Sequence, residues 1–203
     1  MYASPENYIT QTSSIRRPLL MWLLAVFGSL LLFSLIIGAP VALDTGHGFL
    51  GLTLYRGFSY VCHQIPERSF FIAGHQFAVC SRCTGLYAGF TAATILYPLF
   101  RSLRHTEAPA RKWLFLAATP LAIDFALGYL GIWENTHWSR FTTGGLLAVV
   151  SVFYVMPGLM ELSLREWGAK QKPVGATPIS NAAIFPTNVP AAPSDYSAPH
   201  RRI

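Results

Sequence analysis

Residues 19–40 read LLMWLLAVFGSLLLFSLIIGAP, without a single charged side chain. A helix needs about 20 predominantly apolar residues to cross the hydrocarbon core of a bilayer. This run has the length. It is too long for the apolar core of a signal peptide, and no small-residue cleavage site follows it, so it is expected to stay in the protein. Pro18 stands just inside its start, where a missing N–H removes no helical bond. Pro40 is expected to close it.

Three further apolar runs follow: Thr84–Phe100, Lys112–Gly131 and Phe141–Met160. The first of these is at the short limit for a span, and the other two are long enough. Composition agrees, since 52% of the 203 residues are hydrophobic and 12% are charged, against about 25% charged in soluble domains. The expected fold is an all-α integral membrane protein, a four-transmembrane-helix bundle with a small cysteine-containing extracytoplasmic cap. Its spans fall at 18–40, 83–101, 112–131 and 141–160, between a tail at 1–17 and a Pro-rich tail at 165–203.

Lys and Arg orient the spans. Of the fifteen, eleven lie in the N-terminal tail, in the 101–112 connection and after residue 164. Arg56, Arg68, Arg82 and Arg140 lie on the other side. The positive-inside rule then places both tails in the cytoplasm and residues 41–82 outside the inner membrane. The net charge of +6 reads as this topology signal. No basic patch is interleaved with stacking aromatics, so nucleic acid is not an expected partner. The C-terminal tail, rich in Pro, Ala, Ser and Thr, has nothing with which to bury a core. It is expected to become ordered only on a partner.

Within 41–82, DTGHG at 44–48 is a turn, and FLGLTLYRGFSYV after it is a short apolar helix suited to the interface. Ala73-Gly74, flanked by short apolar runs, predicts a hairpin. Gly85-x-x-x-Gly89 in the second span, and Gly144-Gly145 in the fourth, would let helices approach closely.

All three cysteines lie between residues 62 and 83, in CHQIPERSFFIAGHQFAVCSRC. Cys80-x-x-Cys83 opens the second span, where a helix N-terminus favours thiolate. With Cys62 the pair could hold zinc, His75 completing a tetrahedral Cys3His set, or His63 in its place. Adjacent Cys62 and His63 seldom reach one ion together, which favours His75. A disulfide with one thiol left over, or a redox C-x-x-C, are the alternatives in an oxidising compartment. His47, His63, His75, His105, His137 and His200 all fall outside the four predicted spans, so no haem or chlorophyll held by histidine at membrane depth is expected.

Asp124 lies about seven residues, roughly 10 Å, from the outer end of the third span. A carboxylate at that depth needs a partner. Arg140, Asn135, Thr142, Thr143, Arg82 and Tyr87 are candidates. Asp124, Arg140 and Arg68 are the candidate catalytic residues, one as a base and two as grips for an anion.

The pattern Cys62-His63-Gln64, Pro66, Arg68-Ser69-Phe70, Gly74, Cys80, Arg82-Cys83, Gly85, Tyr87 and Gly89 resembles the signature of a family of small bacterial and archaeal membrane proteins classed as a domain of unknown function. Asp124, Asn135, Arg140 and Thr143-Gly144 are also similar to its later half. The resemblance covers roughly residues 50–155 and implies a fold class. The favoured function is a non-catalytic accessory or assembly subunit of a larger respiratory or photosynthetic membrane complex, with a structural Cys/His metal or disulfide cap, contacting lipids and its partner through the spans and the Pro-rich tail. The alternatives are a metal-dependent enzyme acting on lipid at the outer leaflet, and a thiol oxidoreductase.

Overall fold

The computed structural model describes residues 15–165, so the readings made on the N-terminal tail and on the Pro-rich tail lie outside the described residues. It is mostly helical: α1 (Arg16–Asp44), α2 (Gly48–Phe58), α3 (Ser81–Phe100), α4 (Lys112–Tyr129) and α5 (His137–Leu164), with a hairpin of β1 (Phe71–Ile72) and β2 (His75–Gln76) between α2 and α3. Three helices, α1, α3 and α5, are long and apolar enough to cross a membrane. α4 has 18 residues, or about 27 Å of rise against a hydrocarbon core of about 30 Å. Lys112 and Asp124 dilute its apolar character.

α1, α3 and α5 pack on one another, whereas α4 leans on α5. The backbones of α3 and α5 come together at glycines. A Cβ placed on Gly89 would lie 2.5 Å from the Gly145 carbonyl oxygen and 2.9 Å from its Cα. One on Gly85 would overlap the Phe141 backbone, and one on Gly144 the Arg82 backbone. This is the close crossing that small residues permit between membrane helices. Polar contacts join α1 to α3: Trp22 Nε1 donates to the Thr94 carbonyl at 2.8 Å and Thr91 Oγ1 to the Ser29 carbonyl at 3.2 Å. Phe27 on α1 and Phe115 on α4, 67% and 70% exposed, present the apolar outer face that lipid requires.

The crossing sets the first prediction. Alanine is favoured over glycine by about 1 kcal/mol in a helix interior, so Gly28→Ala, with nothing within 4 Å of its added Cβ, should leave the melting temperature in detergent unchanged or slightly raised. Gly89→Ala should lower it by an overpacking term of about 1–3 kcal/mol. Equal effects at both sites would mean that the backbones do not meet at Gly89.

Pro40 does not close α1. The helix continues to Asp44 with Pro40 inside it. A proline cannot donate to the carbonyl four residues back, so the Ile36 oxygen is left without its helical bond. The Ala78 N–H takes that place, at 3.4 Å. The break in the helix ladder therefore becomes the docking point of the segment after β2. Ala78 and Val79 are fully buried there against Ile36, Ala39 and Phe58.

The hairpin pairs Phe71 with Gln76 and Ile72 with His75. Its two turn residues, Ala73 (φ 49°) and Gly74 (φ 78°), are both left-handed, as a type I′ turn demands. α5 starts at His137, earlier than Phe141, because Thr136 caps it by accepting the Ser139 N–H at 3.0 Å. One histidine therefore stands on its first turn.

Candidate metal centre and its cavity

Cys62 is carried just past α2, whose last turn is extended by the Val61 and Cys62 N–H groups donating to the Phe58 carbonyl. Gln64 then turns the chain with φ 52°. Its Nε2 donates to the carbonyls of Tyr55 and Ala78, at 2.7 and 2.8 Å, and Gln76 Nε2 donates back to the Gln64 carbonyl at 3.2 Å. This clamp ties the end of α2 to the segment that leads into α3. Pro66–Arg68 forms a single 3-10 turn. The buried Ser81 donates its hydroxyl to the Arg68 carbonyl at 2.9 Å. Phe70 packs against Phe77, His137, Trp138 and Phe141, which fixes the same turn to the start of α5.

These restraints bring Cys62, Cys80 and Cys83 together, all three sulfurs lying within 4.8 Å of one another. Cys80 and Cys83 are 3.5 Å apart and all three are free cysteines. Tetrahedral zinc with Zn–S bonds of about 2.3 Å needs sulfurs nearly 4 Å apart, so the trio is close to a ligand triangle. The Cys80 N–H donates to Cys62 Sγ at 3.2 Å, a bond that stabilises an anionic sulfur. The Cys80 thiol is held well below its ordinary pKa, first by the Cys62 thiol, then by that of Cys83, and also by the Cys83 and Arg82 amides at the start of α3. Neither His75 nor His63 joins the group. His75 stays on β2, while His63 lines the cavity beside the sulfurs.

That cavity has a volume of about 300 Å³. All three sulfur residues, three arginines (Arg68, Arg82 and Arg140) and Asn135 line it. Arg140 is therefore present, but it is not the partner of Asp124. Arg82 is: its guanidinium forms an ion pair with the Asp124 carboxylate, and its Cζ sits 5.7 Å from the centre of the Phe125 ring. Asn135 donates Nδ2 to the Asp124 backbone carbonyl. Asp124 lies behind Arg82, outside this cavity and lining a neighbouring one with Asn135. Thr142 and Thr143 return their hydroxyls to α5 carbonyls and do not reach it.

Sequence reasoning missed the Gln64 clamp and the Ser81 tether. Both lie within the 62–83 stretch that holds the cysteines, but nothing in their spacing announces a partner 14 or 13 residues away.

A family model described as "Predicted membrane protein (DUF2085)" matches residues 62–154, an interval that opens on the first cysteine and takes in all three sulfurs, the three arginines, Asp124 and Asn135. The chain is 37% identical over 119 residues to an uncharacterized protein of Methanocaldococcus jannaschii, covering 59% of this chain and 76% of that one. It is 42% identical over 87 residues to an uncharacterized protein of Methanothermobacter thermautotrophicus, covering 43% and 77%. No solved structure matches it. With its apolar helices and with relatives matched over three quarters of their length, the chain belongs to the DUF2085 family of membrane proteins.

Proposed function

We propose that this is a metal-dependent membrane enzyme of the outer leaflet, in which Cys62, Cys80 and Cys83 hold zinc with one coordination position open to the arginine-lined cavity. One observation carries the reading: three sulfurs form the ligand group with no histidine among them, and the same residues form the cavity wall. Structural zinc sites are closed by four protein ligands, whereas catalytic sites keep three and a free position. Zinc bound there would polarise an oxygen ligand and make a bound water acidic. Arg68 and Arg140 would hold an anionic group beside it, and Asp124 would keep Arg82 in place. X-ray absorption at the zinc edge should show three sulfurs and one lighter atom that added ligand exchanges. A fourth protein ligand, His75 or His63, that no ligand displaces would make the centre a structural staple and end the enzyme reading.

The proposal includes four spans, with α4 among them, and both tails in the cytoplasm. Exposed Tyr129, Trp133 and Trp138 at one end of α4 and α5 suit an aromatic belt at the outer interface. Alkaline phosphatase fused after Leu164 should be inactive, since it would stay in the cytoplasm. Active fusions would mean three spans and would move the cysteines relative to that end.

The accessory-subunit reading rests on the Pro-rich tail and on apolar outer faces that lipid serves as well as a partner helix. A native mass spectrum from the protein's own membranes separates the two. Partner masses that persist at one copy per chain would favour the subunit.

A further inference from the structure

A second cavity, of about 550 Å³, lies among α1, α3 and α5. Its lining is mostly apolar, with Leu32, Phe90 and Ala148 on its walls and the hydroxyl residues Ser29, Tyr87, Thr91 and Ser151 among them. It and the arginine-lined cavity share four residues: Val61, Cys62, Cys83 and Leu86. The sulfur cluster thus stands at the junction of a cationic chamber and an apolar one.

The cationic chamber is under-neutralised. Three arginines face it, and the ion pair to Asp124 engages Arg82. Among the described residues Arg68 and Arg140 have no ion-pair partner. Arg68 and Arg82 repel Arg140, and Asp124 and the Cys80 sulfur together offset only part of the burial and repulsion that it meets. Buried Arg82 Nε, a further donor, has no hydrogen-bond partner. Like charges are held together at a cost that an anion relieves, and guanidinium groups match phosphate oxygens two at a time.

We propose that the two cavities form one site for an anionic amphiphile, its phosphate held by Arg68, Arg82 and Arg140 and its hydrocarbon chain lying among α1, α3 and α5, so that the head-to-chain junction rests on the cysteine cluster. Cavities of this size class take small ligands, and the order from cation to sulfur to apolar wall is the order of groups along a phospholipid or a prenyl phosphate. The assignment does not require metal on the sulfurs, so it stands or falls apart from the enzyme reading.

The test is binding of phosphatidic acid to the full chain in detergent, measured by native mass spectrometry and by the melting temperature, with phosphatidylcholine and inorganic phosphate as the other probes. It is run on metal-loaded and on chelator-treated protein. Phosphatidic acid is expected to bind at one per chain in both forms and to outcompete inorganic phosphate. Each lost charge-assisted contact should weaken it about tenfold to a hundredfold, so Arg140→Gln should do so, and so should Arg68→Gln, a change at an exposed residue that leaves the fold intact. Ser151→Phe fills the apolar chamber and should weaken phosphatidic acid while leaving inorganic phosphate unaffected. Equal binding of phosphatidic acid and inorganic phosphate, with no effect of Ser151→Phe, would overturn the amphiphile and leave a free oxyanion site. Binding indifferent to Arg68→Gln and Arg140→Gln would overturn the headgroup site. Zinc absent from all preparations with phosphatidic acid still bound would end the enzyme reading alone.

Discussion

Serine in place of Cys62, Cys80 or Cys83 is expected to take zinc in the purified protein from about one ion per chain to near none, since a hydroxyl is a far poorer zinc ligand than a thiolate. The three sulfurs lie within 4.8 Å of one another, so each loss leaves only two donors. The effect reaches the fold because Cys62, Cys80 and Cys83 belong to the same packed cluster as Ile36, Ala39 and Phe58, the contacts through which the 45–80 segment sits on α1. With free zinc a thousandfold above its dissociation constant, binding adds about 4 kcal/mol to stability, worth about 8–16 °C in a protein of this size. Chelation should lower the melting temperature of the wild type by that amount and leave Cys80→Ser where it is. The competing chemistry is distinguishable. A Cys80–Cys83 disulfide on a non-reducing digest, with no zinc and with a melting temperature that falls on reduction instead of chelation, would replace the metal with a sulfur staple.

The cysteine spacing was enough to expect the cluster, because C-x-x-C at a helix start leaves little freedom and the third cysteine had to arrive from the preceding segment. It was not enough to choose the fourth ligand. His75 reads as the natural one because adjacent Cys62 and His63 seldom reach one ion together, yet His75, paired with Ile72 in the hairpin, is not among the residues whose ligand atoms cluster, and register is not visible in so short a strand. The glycine crossing was legible for the opposite reason: Gly85 and Gly89 stand one helical turn apart and Gly144-Gly145 form a pair, and small residues so placed permit a close approach between membrane helices. Pro40 misled. Proline reads as a terminator from local rules alone, and its rescue comes from Ala78, a residue 38 positions on. Asp124 was legible as needing a partner, but not which one. Arg82 and Arg140 both sit on first turns at the same end, and the choice between them depends on how α4 leans against its neighbours.

Removing either half of that pair should be the most destabilising single polar change in the chain. The side chains of Arg82 and Asp124 are 21% and 10% exposed, and Asn135 and Phe125 cover them from the α4 side. Breaking a fully buried pair from one side leaves an uncompensated charge and costs about 3–5 kcal/mol; this pair is part-buried, so the losses belong at the lower end of that range. Asp124→Ala leaves Arg82 beside Arg68 and Arg140 with no ion-pair partner among the described residues, so it should be the larger of the two single losses. Arg82→Met strands the carboxylate instead. The double variant Arg82→Met/Asp124→Leu removes both charges and keeps the volume, and it should recover most of the loss, because exchanging a buried ion pair for apolar groups is often neutral or better. Melting temperatures of the four proteins close the cycle, and the loss in the double variant should fall far short of the sum of the two single losses, as expected for residues in direct contact. Additive losses would mean that Asp124 answers to some other group. The same cycle separates fold from chemistry: the double variant lacks the Arg82 guanidinium, so if it melts like the wild type yet binds phosphate-bearing lipid more weakly, Arg82 serves binding, and its ion pair with Asp124 is there to place a cation beside the sulfur cluster rather than to hold the fold.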